Sequence, residues 1–175
     1  MEKNTPTRMS IVDLSRPASK ENVLTAQFNP TELEEALSVN WNKLPVLGLS
    51  HMPLQYQQTD NHGFSFELAF RALDDTGNKL DSIAHARRFL LSLCYSQRGT
   101  NQSLATGAPP RVLFYWPQLA ALTCVIRKLS IKHTQFNRLG APVVTAVKVT
   151  IEEIRDFRLY AGDVLADGTI RSTGL

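Results

Sequence analysis

Cysteine is almost absent from this 175-residue chain, with Cys94 and Cys124 the only two. One lies in a helical pattern and the other in an apolar stretch, and neither has a C-x-x-C partner. A disulfide framework or a zinc knuckle is therefore unsupported, and buried free thiols made in a reducing compartment are expected. Long apolar runs are missing too. None approaches the ~20 residues that a membrane helix needs, so no membrane span is expected. Residues Met1 to Lys20 are polar, are broken by Pro6 and Pro17, and lack the apolar stretch of a signal peptide. Positive charge is not concentrated either: no Lys/Arg run exceeds two residues, and 19 Lys and Arg against 16 Asp and Glu leave a formal charge of +3. That is a weak field for nucleic acid, and a nucleic-acid-binding small barrel is kept only as a lesser alternative.

Catalytic signatures are equally scarce. The four histidines, His51, His62, His85 and His133, have no close ligand spacing. Gly48-Leu49-Ser50-His51-Met52 begins like a G-x-S-x-G elbow but lacks its second glycine. Glu34-Glu35, Asp74-Asp75 and Glu152-Glu153 are adjacent carboxylates. Neighbours on a strand point to opposite faces, so Glu152-Glu153 cannot serve as a paired acid and base, and all three pairs read as turn or surface charge. There is no P-loop and no G-x-G-x-x-G. No catalytic, cofactor-binding or metal-ligating residue is assigned, and the chain is not expected to be an enzyme.

What is present is a core. Hydrophobic residues make up 43% of the chain and charged residues 20%, which excludes a disordered or collagen-like chain. Residues 1–20 read as an irregular arm, 21–157 as one domain and 158–175 as a tail. From Val23, Leu24, Ala26 and Phe28 alternate with polar residues until Asn29-Pro30 breaks the pattern. Thr31 to Ala36 is compatible with one helical turn, and Leu37, Val39 and Trp41 restore strand alternation. Lys43 to Gly63 reads as a long irregular loop, punctuated by Pro45, Gly48 and Pro53.

Phe64, Phe66, Leu68 and Phe70 make the clearest strand, with one aromatic face. Leu80, Ile83, Ala86, Leu90, Leu93 and Cys94 fall on one stripe of a helix spanning 78–96. Arg111 to Trp116 is a buried strand. Leu119 to Phe136 is long and mostly extended, with a bulge or bend expected near Arg127-Lys128 where the alternation changes phase. After a turn at 137–142, Val143 to Glu153 completes an antiparallel hairpin. The expected class is mainly β (α+β): an antiparallel barrel or sandwich with one flanking helix.

Two features lack an obvious role in a monomer, the apolar 44–56 loop and the long hairpin 122–151. Leu44, Val46, Leu47, Leu49, Met52, Leu54 and Tyr56 either pack across their own barrel or form a surface that contacts identical neighbours.

The order of motifs resembles a known family. Gln27-Phe28-Asn29-Pro30-Thr31-Glu32 is followed by Trp41, then Leu44-Pro45-Val46-Leu47-Gly48-Leu49 and Pro53-Leu54-Gln55-Tyr56. Phe64 to Phe70, Phe114-Tyr115-Trp116, Ile126 to Thr134 and Val143 to Glu153 come after it. Over residues 23–157 this is similar to the tube-type domain of contractile injection system and phage tail baseplate proteins. That domain is often associated with a LysM module, for which the stretch after 157 is too short. The resemblance implies a tail-tube β fold and a structural role. The implied role is a ring-forming adaptor at the baseplate hub that joins the central spike to the inner tube and initiates the tube. A tube terminator or small baseplate protein is the alternative.

It further implies a six-fold homo-oligomeric ring, with inner tube, spike and baseplate proteins as partners. DNA or protein cargo would pass through a lumen faced by Ser130, Lys132, Lys148 and Thr150. The chain would be made in the bacterial cytoplasm and assembled into a virion or injection particle.

Overall fold

The computed structural model describes residues 7–16, 19–72, 82–96, 107–155 and 170–171. The expected Asp74–Gly77 turn, the helix before residue 82, most of the 97–110 loop and the turn signals of the tail lie outside these residues. The strands are β1 (Ser10–Asp13), β2 (Val23–Thr25), β3 (Leu33–Ala36), β4 (Val39–Lys43), β5 (Leu54–Thr59), β6 (Gly63–Arg71), β7 (Val112–Trp116), β8 (Ala120–Phe136), β9 (Pro142–Glu153) and β10 (Ile170–Arg171). Among the described residues one α-helix, α1 (Ser82–Ser92), lies between β6 and β7, and a short 3-10 turn at Lys20–Asn22 precedes β2. One sheet runs β2-β1-β7-β8-β9-β6-β3, with β10 beside β8, and β4-β5 is a separate two-stranded ribbon. Every pairing is antiparallel except β8 with β10. The mainly-β class is as expected.

The large sheet curls. β6 and β7 are separated by β9 and β8, which is about 14 Å along a flat sheet. Yet the Phe66 and Phe114 rings lie 5.2 Å apart, and Phe64 and Phe114 6.4 Å. Only a sheet wrapped on itself brings those rings together. From the other side, the Arg71 amide donates to the Gln27 side chain at 2.7 Å, so the segment after β2 reaches the end of β6. The architecture is therefore a barrel-like wrap rather than a two-sheet sandwich. Its interior holds Met9, Ile11, Phe64, Phe70, Phe114, Leu122, Val149 and Ile151, all buried.

The expected bulge in β8 is present. Ile126 pairs with Ile151 and Lys128 with Thr150, leaving Arg127 as the extra residue. Before it, Leu122 and Cys124 face inward; after it, Leu129 and Ile131 pack against the core and Lys128, Ser130 and Lys132 are exposed. A one-residue slip exchanges the two faces of a strand, and this bulge keeps the apolar residues of both halves on the core side.

α1 buries Ile83, Ala86, Phe89 and Leu90, the stripe that helical spacing demands, and packs on β6, β8 and β9. Its described length is 11 residues, with Leu93 already in a turn yet buried.

Three local expectations are corrected. Thr31 to Ala36 does not form a helical turn, because Leu33 to Ala36 pair with Gly63 to Phe66 as β3. The irregular loop from Lys43 to Gly63 contains β5, which pairs with β4. Part of the irregular arm over 1–20 enters the sheet: β1 lies between β2 and β7, with Met9 and Ile11 buried. Asp13 occupies an inward β1 position, where it accepts from the Ser15 amide at 2.9 Å and lies 3.5 Å from Arg16. A carboxylate at an inward position hides the alternation of so short a strand.

Candidate assembly surfaces

The β4-β5 ribbon projects as an arm. Its two ends meet where Ala36 pairs with Gly63, so everything from 37 to 62 leaves and re-enters the body at one point. Inside the ribbon, Trp41 pairs with Tyr56 and their rings meet edge to face at 5.5 Å. Asp60 ties the base: its side chain accepts from Asn40 at 2.9 Å and Gln58 at 3.1 Å, and its amide donates to the Ser38 carbonyl at 2.9 Å. At the far end the Leu44 amide donates to the Pro53 carbonyl, and Gly48 takes a positive φ of 87° to turn the chain.

All seven loop residues expected at an interface, Leu44, Val46, Leu47, Leu49, Met52, Leu54 and Tyr56, are exposed, Leu47 fully at 103%. Trp41, Val39 and Leu37 are exposed beside them. Among the described residues the barrel leaves these side chains at least two-fifths exposed. A lone two-stranded ribbon is marginal in water, and a monomer seldom exposes apolar side chains grouped in this way.

The root of the arm holds a charge cluster that the sequence reading missed. Strict alternation in β9 carries Glu153 inward after Val147, Val149 and Ile151, and its side chain is fully buried. The Arg155 guanidinium lies 2.7 Å from Glu153 Oε2, and His62 Nδ1 lies 4.0 Å from that oxygen and 3.3 Å from Glu35 Oε1. The Glu153 amide donates to the His62 carbonyl at 2.8 Å. On the other face, Glu152 accepts from Asn61 at 3.3 Å and pairs with Arg127 at 3.0 Å. Glu152 and Glu153 point to opposite faces, as strand geometry requires, and together they straddle the returning segment of the arm. The reading of both as surface charge holds for Glu152 alone. An open polar cleft of about 680 Å3, lined by Ser38, Gln58, Asn61 and Arg127 among others, separates arm and sheet.

Ser130, Lys132, Lys148 and Thr150 share the outer face of the sheet. Ser130 pairs with Lys148, Lys132 with Ala146 and Lys128 with Thr150. Thr150 and Ser65 hydroxyls meet at 3.1 Å.

Neither thiol is poised for chemistry. Burial pushes Cys124 up to about 12, opposed by an interaction with the Phe114 backbone and reinforced by the Glu153 charge; burial also raises Cys94. At neutral pH both stay protonated, and the thiolate is the reactive form. Among the described residues no cluster of His, Cys, Asp or Glu is placed to hold a metal ion, and no helix is long and apolar enough to cross a membrane.

The solved structures that resemble the chain include two tail or baseplate chains. One is a chain from the tail of an empty GTA particle with C6 symmetry, at 11% identity and a TM-score of 0.41, covering 91% of this chain and 99% of that one. The other is from the six-fold symmetrised baseplate of the anti-feeding prophage, at 12% identity and a TM-score of 0.37, covering 85% of this chain and 88% of that one. No curated protein matches. Residues 5–160 match the family of contractile injection system tube proteins, nearly the whole of the curled sheet and its helix. The chain belongs to the contractile injection system tube protein family, and so is a structural component of a contractile injection system.

Proposed function

We propose that the chain is a ring-forming adaptor at the baseplate hub, joining the central spike to the inner tube and initiating the tube. The observation that carries this reading is the arm: seven apolar side chains of β5 and the loop before it stand in solvent, uncovered by their own body. A family of tube proteins supplies the natural cover, neighbouring copies and the adjoining tube or spike protein. In a six-fold ring the arm residues Leu44, Val46, Leu47, Leu49, Met52, Leu54 and Tyr56 contact a neighbour. Ser130, Lys132, Lys148 and Thr150 then face a polar lumen through which DNA or protein cargo passes. The exposure of Ser130, Lys132 and Lys148, with Thr150 half-buried beside them, against the buried opposite face of Val147, Val149 and Ile151, supports that assignment. The chain is made in the bacterial cytoplasm and assembled into a virion or injection particle.

The test is imaging of the native particle with this subunit tagged. A single ring of tag between spike and tube is expected. Tag along the whole tube, or at its distal end, would overturn the adaptor role.

A further inference from the structure

The arm hangs from the body by its returning segment. On the outgoing side the Ser38 carbonyl is bonded within the arm, accepting from the Asp60 amide at 2.9 Å. On the returning side the bonds reach the body: the Asn61 side chain donates to Glu152 at 3.3 Å, and the His62 carbonyl accepts from the Glu153 amide at 2.8 Å. Beyond this root β4 and β5 form a sheet of their own, and the open cleft of about 680 Å3 lies between it and the body. A ribbon on so narrow a root can pivot, and the charges at the root then decide where it points.

Those charges converge on His62. Its ring is half-buried, edge to face with Phe64 at 6.0 Å between centroids. Nδ1 lies 3.3 Å from Glu35 Oε1 on β3 and 4.0 Å from Glu153 Oε2 on β9, aligned for a hydrogen bond with neither. Glu153 is the demanding neighbour. Its side chain is fully buried, both oxygens lack a hydrogen-bond partner among the described residues, and Arg155 meets Oε2 at 2.7 Å as a charge without an aligned hydrogen bond. Glu35 is 42% exposed and shares its charge with water. From β8, Cys124 stands opposite Glu153 in the ladder, with a thiol that keeps its proton. The remaining charged groups at the root are engaged elsewhere. Glu152 pairs with Arg127 at 3.0 Å on the other face, and Asp60 accepts from Asn40 and Gln58.

The balance of the cluster depends on one proton. With His62 charged, it and Arg155 offset Glu35 and Glu153, and Nδ1–H is attracted to both carboxylates. With His62 neutral, one negative charge is in excess, and the ring either gives its single Nδ1 proton to one carboxylate or turns a lone pair on both. A buried carboxylate short of partners is costly. Relief comes from moving the group that no ladder holds: Glu35 lies in β3 and Glu153 in β9, whereas His62 lies between β5 and β6.

We propose that His62 is a proton-operated latch on the arm. Charged, it holds the returning segment between Glu35 and Glu153; neutral, it frees the arm to swing across the cleft. The latch belongs to a single chain and does not depend on what the arm contacts.

The test measures the arm's position against pH. Ser50→Cys at the arm tip and Ser130→Cys on the outer face of β8 carry spin labels, in a Cys94→Ser chain whose buried Cys124 is kept. Labelled chain is diluted into unlabelled chain, so that only distances within one copy are read. Histidine ordinarily changes charge between about pH 5 and 8, and the two ends of that range are compared. A single narrow distance is expected at the acid end and a broad distribution at the other. His62→Gln, which keeps His51, His85 and His133, should be broad at both, while Glu152→Gln should respond as the wild type does. Circular dichroism checks that each variant folds. Where His62→Gln does not fold, the wild-type midpoint is compared with that of the His62 ring followed by NMR, and the two should coincide. A wild-type distribution that is the same at both ends would overturn the latch. So would a folded His62→Gln chain that responds like the wild type, or midpoints that differ.

Discussion

β5 and β6 are consecutive strands with opposite fates. β6 buries Phe64, Phe66, Leu68 and Phe70 in the wrap of the sheet, whereas every residue of β5 is exposed, Leu54 and Tyr56 included. Both carry apolar side chains at alternate positions. The difference is coverage: β6 has β9 and β3 beside it and α1 over its inner face, while β5 has only β4. The body's stability is internal to one chain. The arm's apolar surface is left uncovered by the described body.

The sharpest way to break this comparison is to cut into the body. Phe114→Ala removes the ring that Phe64, Phe66 and Trp116 all touch, and about 3–5 kcal/mol of stability should be lost in urea unfolding. A loss near that of an arm substitution would mean that the wrap is not the core.

Next comes the pH dependence set by Cys124. An unfolded thiol ionises near 9.0, while the folded one keeps its proton to about 12. Between those values the unfolded state binds fewer protons, so stability falls as pH rises, by about 1.4 kcal/mol per pH unit from this group. Cys124→Ala should flatten the melting-temperature profile above pH 9 by that component; an unchanged slope would place the thiol nearer water.

At the junction of body and arm, Glu153→Gln should cost about 1–3 kcal/mol, because it leaves Arg155 and His62 facing a neutral group in a buried site. Glu152→Gln, on the exposed side of the same strand end, should change stability by less than about 1 kcal/mol. Equal effects would show that the two faces are not distinct. Smallest of all, Leu47→Asp with Leu49→Asp should shift unfolding by no more than about 0.5 kcal/mol while blocking assembly in sedimentation. Unfolding of that double variant would make the arm part of the core.

Legibility in the sequence followed the same divide. β6, the α1 stripe and the β8 bulge were readable because a buried face imposes a period, and each runs long enough to display it. β3 and β5 were not, since LEEA has too few apolar residues to alternate and the Leu54 and Tyr56 pair of LQYQQT is too short a run to establish a period. Glu153 escaped because a charged residue type signals surface, while its position in the β9 alternation places it inside. The arm residues were named from composition alone, and their exposure is a property of the fold.

The extra residue at Arg127 has a consequence for how the chain tolerates change in length. Deleting one residue there would turn Lys128, Ser130 and Lys132 toward the core and Leu129 and Ile131 toward water, inverting the whole outer half of the longest strand. At the 137–141 turn, where Leu139 is 92% exposed, an added residue shifts nothing in the ladder below. Descendants of this gene should accordingly vary in length at the hairpin tip and hold it constant at the bulge, the one place where a single codon sets which side of the wall is wet.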